Sequence, residues 1–118
     1  MKQNRNIGQK AEQVAEAFLK RKGIGILTRN YRCRQGEIDL IGWDGPILVF
    51  VEVKARANCG CGYPGEALTY WKRKRICYTA LVFCAREKIP QNTAVRFDVV
   101  EIVGNQIRHV ENAFEYCI

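Results

Sequence analysis

Three residues stand out for chemistry. Asp39 sits in Gly36-Glu37-Ile38-Asp39-Leu40-Ile41, and Glu52 and Lys54 sit in Val49-Phe50-Val51-Glu52-Val53-Lys54-Ala55-Arg56. Between the two segments lies Asp44-Gly45, a dipeptide that favours tight hairpin turns. With Asp44-Gly45 as the turn, Asp39 faces Phe50 and Glu37 faces Glu52. Side chains alternate along strands, so Glu37, Asp39, Glu52 and Lys54 share one face. Asp39 and Glu52 are then diagonal neighbours, about 7 Å apart at Cβ. Two carboxylates so close repel unless something compensates. A hard divalent cation such as Mg²⁺ (or Mn²⁺), which takes oxygen ligands, would do so. The other reading is a solvated strand end whose acids are neutralised by Lys54 and Arg56. Ile38, Leu40, Ile47, Val49, Val51 and Val53 fall on the opposite, core-facing side. The charged side also carries Ile41, Trp43, Leu48 and Phe50.

Several elements must hold these residues in place. Asn6 can cap a helix running to about Lys22, with Ile7, Ala11, Val14, Ala15, Phe18 and Leu19 at helical spacing and Gly23 ending it. Strands are predicted over Ile24–Tyr31, Glu37–Trp43 and Ile47–Lys54. A glycine-rich loop follows over Ala55–Gly65, then a long helix over Glu66–Glu87. Pro90 to Asn92 break that helix, and strands over Ala94–Val103 and Gln106–Val110 close the chain. The order α-β-β-β-α-β-β predicts an α/β fold with a central mixed sheet flanked by helices.

The chain of 118 residues is long enough for one domain and too short for two. Its longest apolar run, Ile47 to Val51, cannot span a bilayer. No apolar stretch follows the charged first residues, which argues against a secretory leader and a membrane and for the cytoplasm. The net charge is +7, a balance that suits a polyanion as well as simple solubility. Its distribution is uneven: residues 1–36 carry +7, 37–71 carry −3, 72–88 carry +5 and 89–118 carry −2. An acidic middle between two basic segments suits a phosphate-binding surface around a cation site. Lys72-Arg73-Lys74-Arg75 spread around a helix, so some of them face solvent. Six cysteines without a leader are read as thiols. Cys59 and Cys61 form one close pair but no second pair completes a zinc site. Cys77, Cys84 and Cys117 read as small core residues, and Trp71 reads as packing in the core rather than stacking on a base.

The ordered set of motifs resembles the YraN-like bacterial family, related to archaeal Holliday-junction resolvases and to restriction-endonuclease-like (PD-(D/E)xK) nucleases. The resemblance runs from about Asn6 to Phe114. It includes Gly8-x3-Glu12, Asn30-Tyr31-Arg32-Cys33-Arg34, the Asp39…Glu52-x-Lys54 pattern, Arg96-Phe97-Asp98-Val99-Val100 and Ile107-Arg108-His109. It implies that Asp39, Glu52 and the carbonyl of Val53 bind Mg²⁺ or Mn²⁺. It implies that Lys54 orients the attacking water, and that Glu12, which flanks the apolar stripe of the first helix, completes the site. Two departures stand out. The loop after Lys54 is less basic than is usual in the family, and Thr69 is followed by Tyr70-Trp71 where a proline is common.

The expected function is a metal-dependent endonuclease acting on DNA, with branched, Holliday-junction-like DNA as a candidate substrate. Phosphate contacts are expected from Arg32, Arg34, Arg56, Lys72, Arg73 and Arg75, and a homodimer would match a symmetric junction. The alternatives are a nucleic-acid-binding module that does not cut and a protein-interaction scaffold on the same fold.

Overall fold

The computed structural model describes residues 2–56 and 68–116, with side chains from Gln9 onward. The chain runs α1 (Lys2–Arg21), β1 (Gly25–Cys33), β2 (Gly36–Asp44), β3 (Ile47–Arg56), α2 (Tyr70–Arg86), β4 (Val95–Val103) and β5 (Gln106–Phe114). The predicted order of elements holds. One five-stranded sheet has the spatial order β1-β2-β3-β4-β5. Its neighbours are antiparallel except β3 and β4, which are parallel. The chain between those two strands carries α2 across the sheet, as parallel neighbours require.

The two helices cover opposite faces. Ala15 and Leu19 of α1 pack with Ile24, Leu40, Val49, Val51 and Val100. Val14, expected in that stripe, is 43% exposed. Ile76, Cys77, Ala80 and Phe83 of α2 pack with Ile38, Ile41, Leu48, Phe50 and Phe97 on the other face. Both faces of the central hairpin are therefore core, which explains its near-continuous apolar run. Helix α1 stops where Ile24 N–H bonds Leu19 O and Gly23 N–H bonds Lys20 O, each at 3.0 Å. Gly23, at φ +93°, supplies the left-handed residue of this termination.

The hairpin turn differs from the expectation. Asp44 pairs with Ile47 and Ile41 with Phe50, so Gly45 and Pro46 form the loop. Gly45 takes φ +60°, as the first central position of a II′ turn demands, and proline suits the second, where φ is negative. The register moves by two residues, an even number, so the faces are preserved. Carrying it one step past Leu40↔Val51 sets Asp39 opposite Glu52 rather than diagonal to it. Ile38 is also corrected: it joins the α2 cluster, whereas Leu40 joins the α1 cluster. The strand changes face around Asp39, where its pairing with β3 ends.

Helix α2 begins later than expected, because Thr69 caps it, its Oγ1 accepting from Lys72 N–H at 3.1 Å. The predicted start at Glu66 lies outside the described residues, as do most of the glycine-rich loop and Cys59, Cys61 and Cys117. Strand β5 runs four residues further than expected, and Phe114 at its end stacks on Phe97 with ring centroids 5.0 Å apart. Among the described residues, no helix is long and apolar enough to cross a membrane.

Candidate metal centre

The β2–β3 ladder runs from Asp44↔Ile47 to Leu40↔Val51 and stops there. Strand β2 nonetheless stays paired with β1 as far as Cys33↔Gly36. Strand β3 stays paired with β4 as far as Arg56↔Val103. The sheet therefore forks between β2 and β3, and Asp39 is the first β2 residue inside the fork. Its Oδ2 accepts from Val53 N–H at 2.8 Å, so a side chain takes the place of a ladder partner. The N–H and C=O of one strand residue point the same way, so the Val53 carbonyl also faces the fork.

A cleft opens at this point between α1 and α2. Glu12, Arg32, Arg34, Glu37, Asp39, Glu52, Val53, Lys72 and Arg75 line it. Burial pushes the Asp39 carboxyl up to about 8. The Glu52 charge beside it and Glu12 beyond push the same way, against the Val53 N–H. Glu52 is held by the Lys72 ammonium at 2.8 Å. A cation is thus already bound to one carboxylate, while the other is deprived of positive charge.

The fork brings together Asp39, Glu52, Val53 and Glu12 of the expected metal set, and Arg32, Arg34, Lys72 and Arg75 of the expected phosphate set. Three expected residues lie elsewhere. Lys54 is half-buried in register with Glu101 of β4 and does not line the cleft. Arg56 pairs with Glu101 at 3.9 Å. Arg73 donates to the Leu68 carbonyl at 3.0 Å, tying down the start of α2. Among the described residues, no group of three or more His, Cys, Asp or Glu side chains is placed to hold a metal ion. Trp71 is exposed rather than packed in the core.

A fully buried acid, Asp98, lies away from the cleft. Asp98 on β4 accepts from Arg96 Nε at 2.9 Å and from Arg96 Nη2 at 3.0 Å. Asn112 N–H donates to it at 2.9 Å, and His109 Nε2 lies 2.7 Å away. Lys22 Nζ approaches the other ring nitrogen of His109 at 2.7 Å, which assigns the imidazole proton to Nε2 and makes it a donor to Asp98. Burial alone would raise the Asp98 carboxyl, but the hydrogen bonds from His109, Arg96 and Asn112 hold it below its ordinary range. Sequence reading placed Arg96, Asp98 and His109 in motifs without foreseeing this cluster. The available signal was the Arg96-x-Asp98 spacing, which sets both side chains on one face of a strand.

Two helices on a five-stranded mixed sheet, split at a carboxylate pair, define an α/β domain of the order α-β-β-β-α-β-β. Residues 11–102 match the family described as Uncharacterised protein family UPF0102, and the chain belongs to that family. A UPF0102 protein of Lachnoclostridium phytofermentans is 44% identical over 108 residues, covering 92% of each chain. One of Geotalea daltonii is 43% identical, covering 95% of this chain and 91% of its own. One of Caldicellulosiruptor saccharolyticus is 42% identical, covering 93% and 98%.

Proposed function

We propose that this protein is a metal-dependent endonuclease of the restriction-endonuclease-like kind, hydrolysing DNA phosphodiester bonds, with branched DNA as a candidate substrate. The observation that carries this reading is the Asp39–Glu52 pair, two adjacent carboxylates in a cleft whose other charged walls are mostly cationic. The same pair fits Mg²⁺ or Mn²⁺. Hard cations take carboxylate and carbonyl oxygens, and Asp39, Glu52 and the Val53 carbonyl offer them, with Glu12 behind. Lys72 on Glu52 marks where positive charge is wanted.

Bound there, Mg²⁺ or Mn²⁺ supplies Lewis-acid charge to the phosphoryl oxygens and the attacking water. The chain's own residues hold the substrate. Arg32, Arg34 and Arg75 grip the phosphates on either side of the acids. Lys72, once released from Glu52, faces the charge that builds on the phosphate. A two-fold dimer would match a four-way junction.

The test is a cleavage panel with Mg²⁺ and Mn²⁺ over linear, nicked, flapped and four-way DNA. Cleavage by the wild type that is lost in Asp39→Asn and in Glu52→Gln supports the reading. One observation favours a second reading, a nucleic-acid-binding module that does not cut: Lys54, expected to activate water, is not among the residues that line the cleft. Binding without cleavage across the whole panel would select it.

A further inference from the structure

We infer that the outer face of α2 beside the cleft is a stacking platform for unpaired bases, so that the DNA bound here carries a single-stranded segment next to the phosphate in the cleft. This rests on the reading of the cleft as a DNA site. Trp71 is 67% exposed, Tyr70 47% and Tyr78 39%. Positions 71, 74, 75 and 78 share one face of a helix, so Trp71 and Tyr78 alternate with Lys74 and Arg75 along it. The Lys74 ammonium lies 5.6 Å from the Tyr70 ring and 5.9 Å from the Trp71 ring, a cation–π arrangement that holds charge and rings together. Arg75 on this face, and Lys72 next to Trp71, reach into the cleft. The stripe is therefore continuous with the proposed phosphate site.

The chemistry of the stripe narrows its occupant. Helix α2 contains no acid from Tyr70 to Arg86, so the partner is anionic. The rings offer flat apolar faces. A single-stranded polynucleotide has both properties, charge along its backbone and a π-face on every base. A blunt duplex keeps its bases stacked on one another and can use only the cations. A second copy of this chain packed face to face about a two-fold axis would set Lys74 and Arg75 against their own images, a like-charge opposition that disfavours it.

The test is fluorescence anisotropy in EDTA, where no metal-dependent cleavage intervenes, with one labelled oligonucleotide offered single-stranded and as a blunt duplex. Trp71→Ala is expected to weaken single-strand binding by roughly five- to a hundredfold, the worth of one stacked base. Duplex binding should change less than about twofold, since the cations remain. Trp71→Phe should keep most of the single-strand affinity, and single strands should quench wild-type tryptophan emission more than Trp71→Ala emission. Equal losses on both DNAs, an unchanged single-strand affinity in Trp71→Ala, or no single-strand binding by the wild type would overturn the inference. So would sedimentation of the wild type as a dimer that Trp71→Ala converts to monomer, which would assign the face to a second copy. A selective loss in Trp71→Ala with no cleavage by the wild type leaves the platform standing and removes the nuclease reading. Cleavage lost in Asp39→Asn with no effect of Trp71→Ala does the reverse.

Discussion

Asp39 and Asp98 are both withdrawn from water on the same sheet, and their surroundings are opposite. Asp98 receives a two-pronged Arg96, the His109 imidazole and a backbone N–H. Asp39 receives one backbone N–H and faces Glu52. One carboxyl is consequently held low and the other pushed up to about 8. A buried charge whose partners are complete is part of the architecture; removing it strands those partners. A carboxyl that lacks positive charge weakens the fold and gains from any cation that arrives. The difference separates a residue kept for folding from one suited to function.

The comparison breaks first, and most severely, at Asp98. Asp98→Asn leaves Arg96 and His109 without their anion and should cost about 3 kcal/mol or more, read in urea titrations at pH 7. A loss below about 1 kcal/mol would remove the contrast. Asp39→Asn should do the opposite without metal, leaving stability unchanged or raised.

Metal separates the two acids next. At a hundredfold excess over its dissociation constant, a bound ion stabilises by about 2.7 kcal/mol. Melts of the wild type should rise with Mn²⁺, and melts of Asp39→Asn should stay flat. A shift of equal size in both would move the ion away from Asp39.

The pH dependences tilt in opposite directions. The folded pKa of Asp39 is raised, so between about pH 4 and pH 8 the native state keeps a proton that the unfolded chain releases. Its contribution is therefore full below the unfolded pKa and lost as pH rises toward 8. The advantage of Asp39→Asn over the wild type in EDTA should grow from pH 5 to pH 8, and parallel melting curves would refute the raised pKa. The folded pKa of Asp98 is lowered, so its contribution is present above about pH 4 and lost as the solution becomes more acid.

Two smaller effects sharpen the picture. Replacing Lys72, Arg75 or Arg34 by Ala should lower the salt slope of DNA binding by about 1 each. Arg73→Ala, whose guanidinium serves the Leu68 carbonyl, should leave that slope unchanged. Glu16 on α1 is bridged by the exposed side chains of Arg29 and Lys20, whose freedom in solvent limits the cost of Glu16→Gln to about 1 kcal/mol. An acid satisfied by exposed cations contributes less than one whose partners are buried with it in the sheet.

Much of this was legible in the residues. Alternation along two strands was enough to bring Asp39 and Glu52 together, because an even slip in register leaves faces unchanged. The turn itself was misplaced by one residue, since Asp44-Gly45 and Gly45-Pro46 both suit a tight hairpin and only the tertiary register decides. The fork was not legible, because where two strands part depends on what each pairs with on its far side. Ile38 went to the wrong face for that reason. Lys54 followed Glu52 by spacing, but spacing does not say whether a long side chain turns toward the cleft. The extra length of β5 depends on Phe114 meeting Phe97, a contact between residues far apart in sequence.

The Val53 amide offers a window on the fork that needs neither DNA nor a turnover assay. Its proton is held by a side-chain oxygen instead of a neighbouring strand. Its exchange with solvent deuterium and its resonance frequency therefore follow the state of one carboxyl. Titrating Asp39, replacing it or drawing its oxygens toward a cation would each be heard at Val53, while the amides of Val49 and Val51, deep in the unbroken part of the sheet, stay silent.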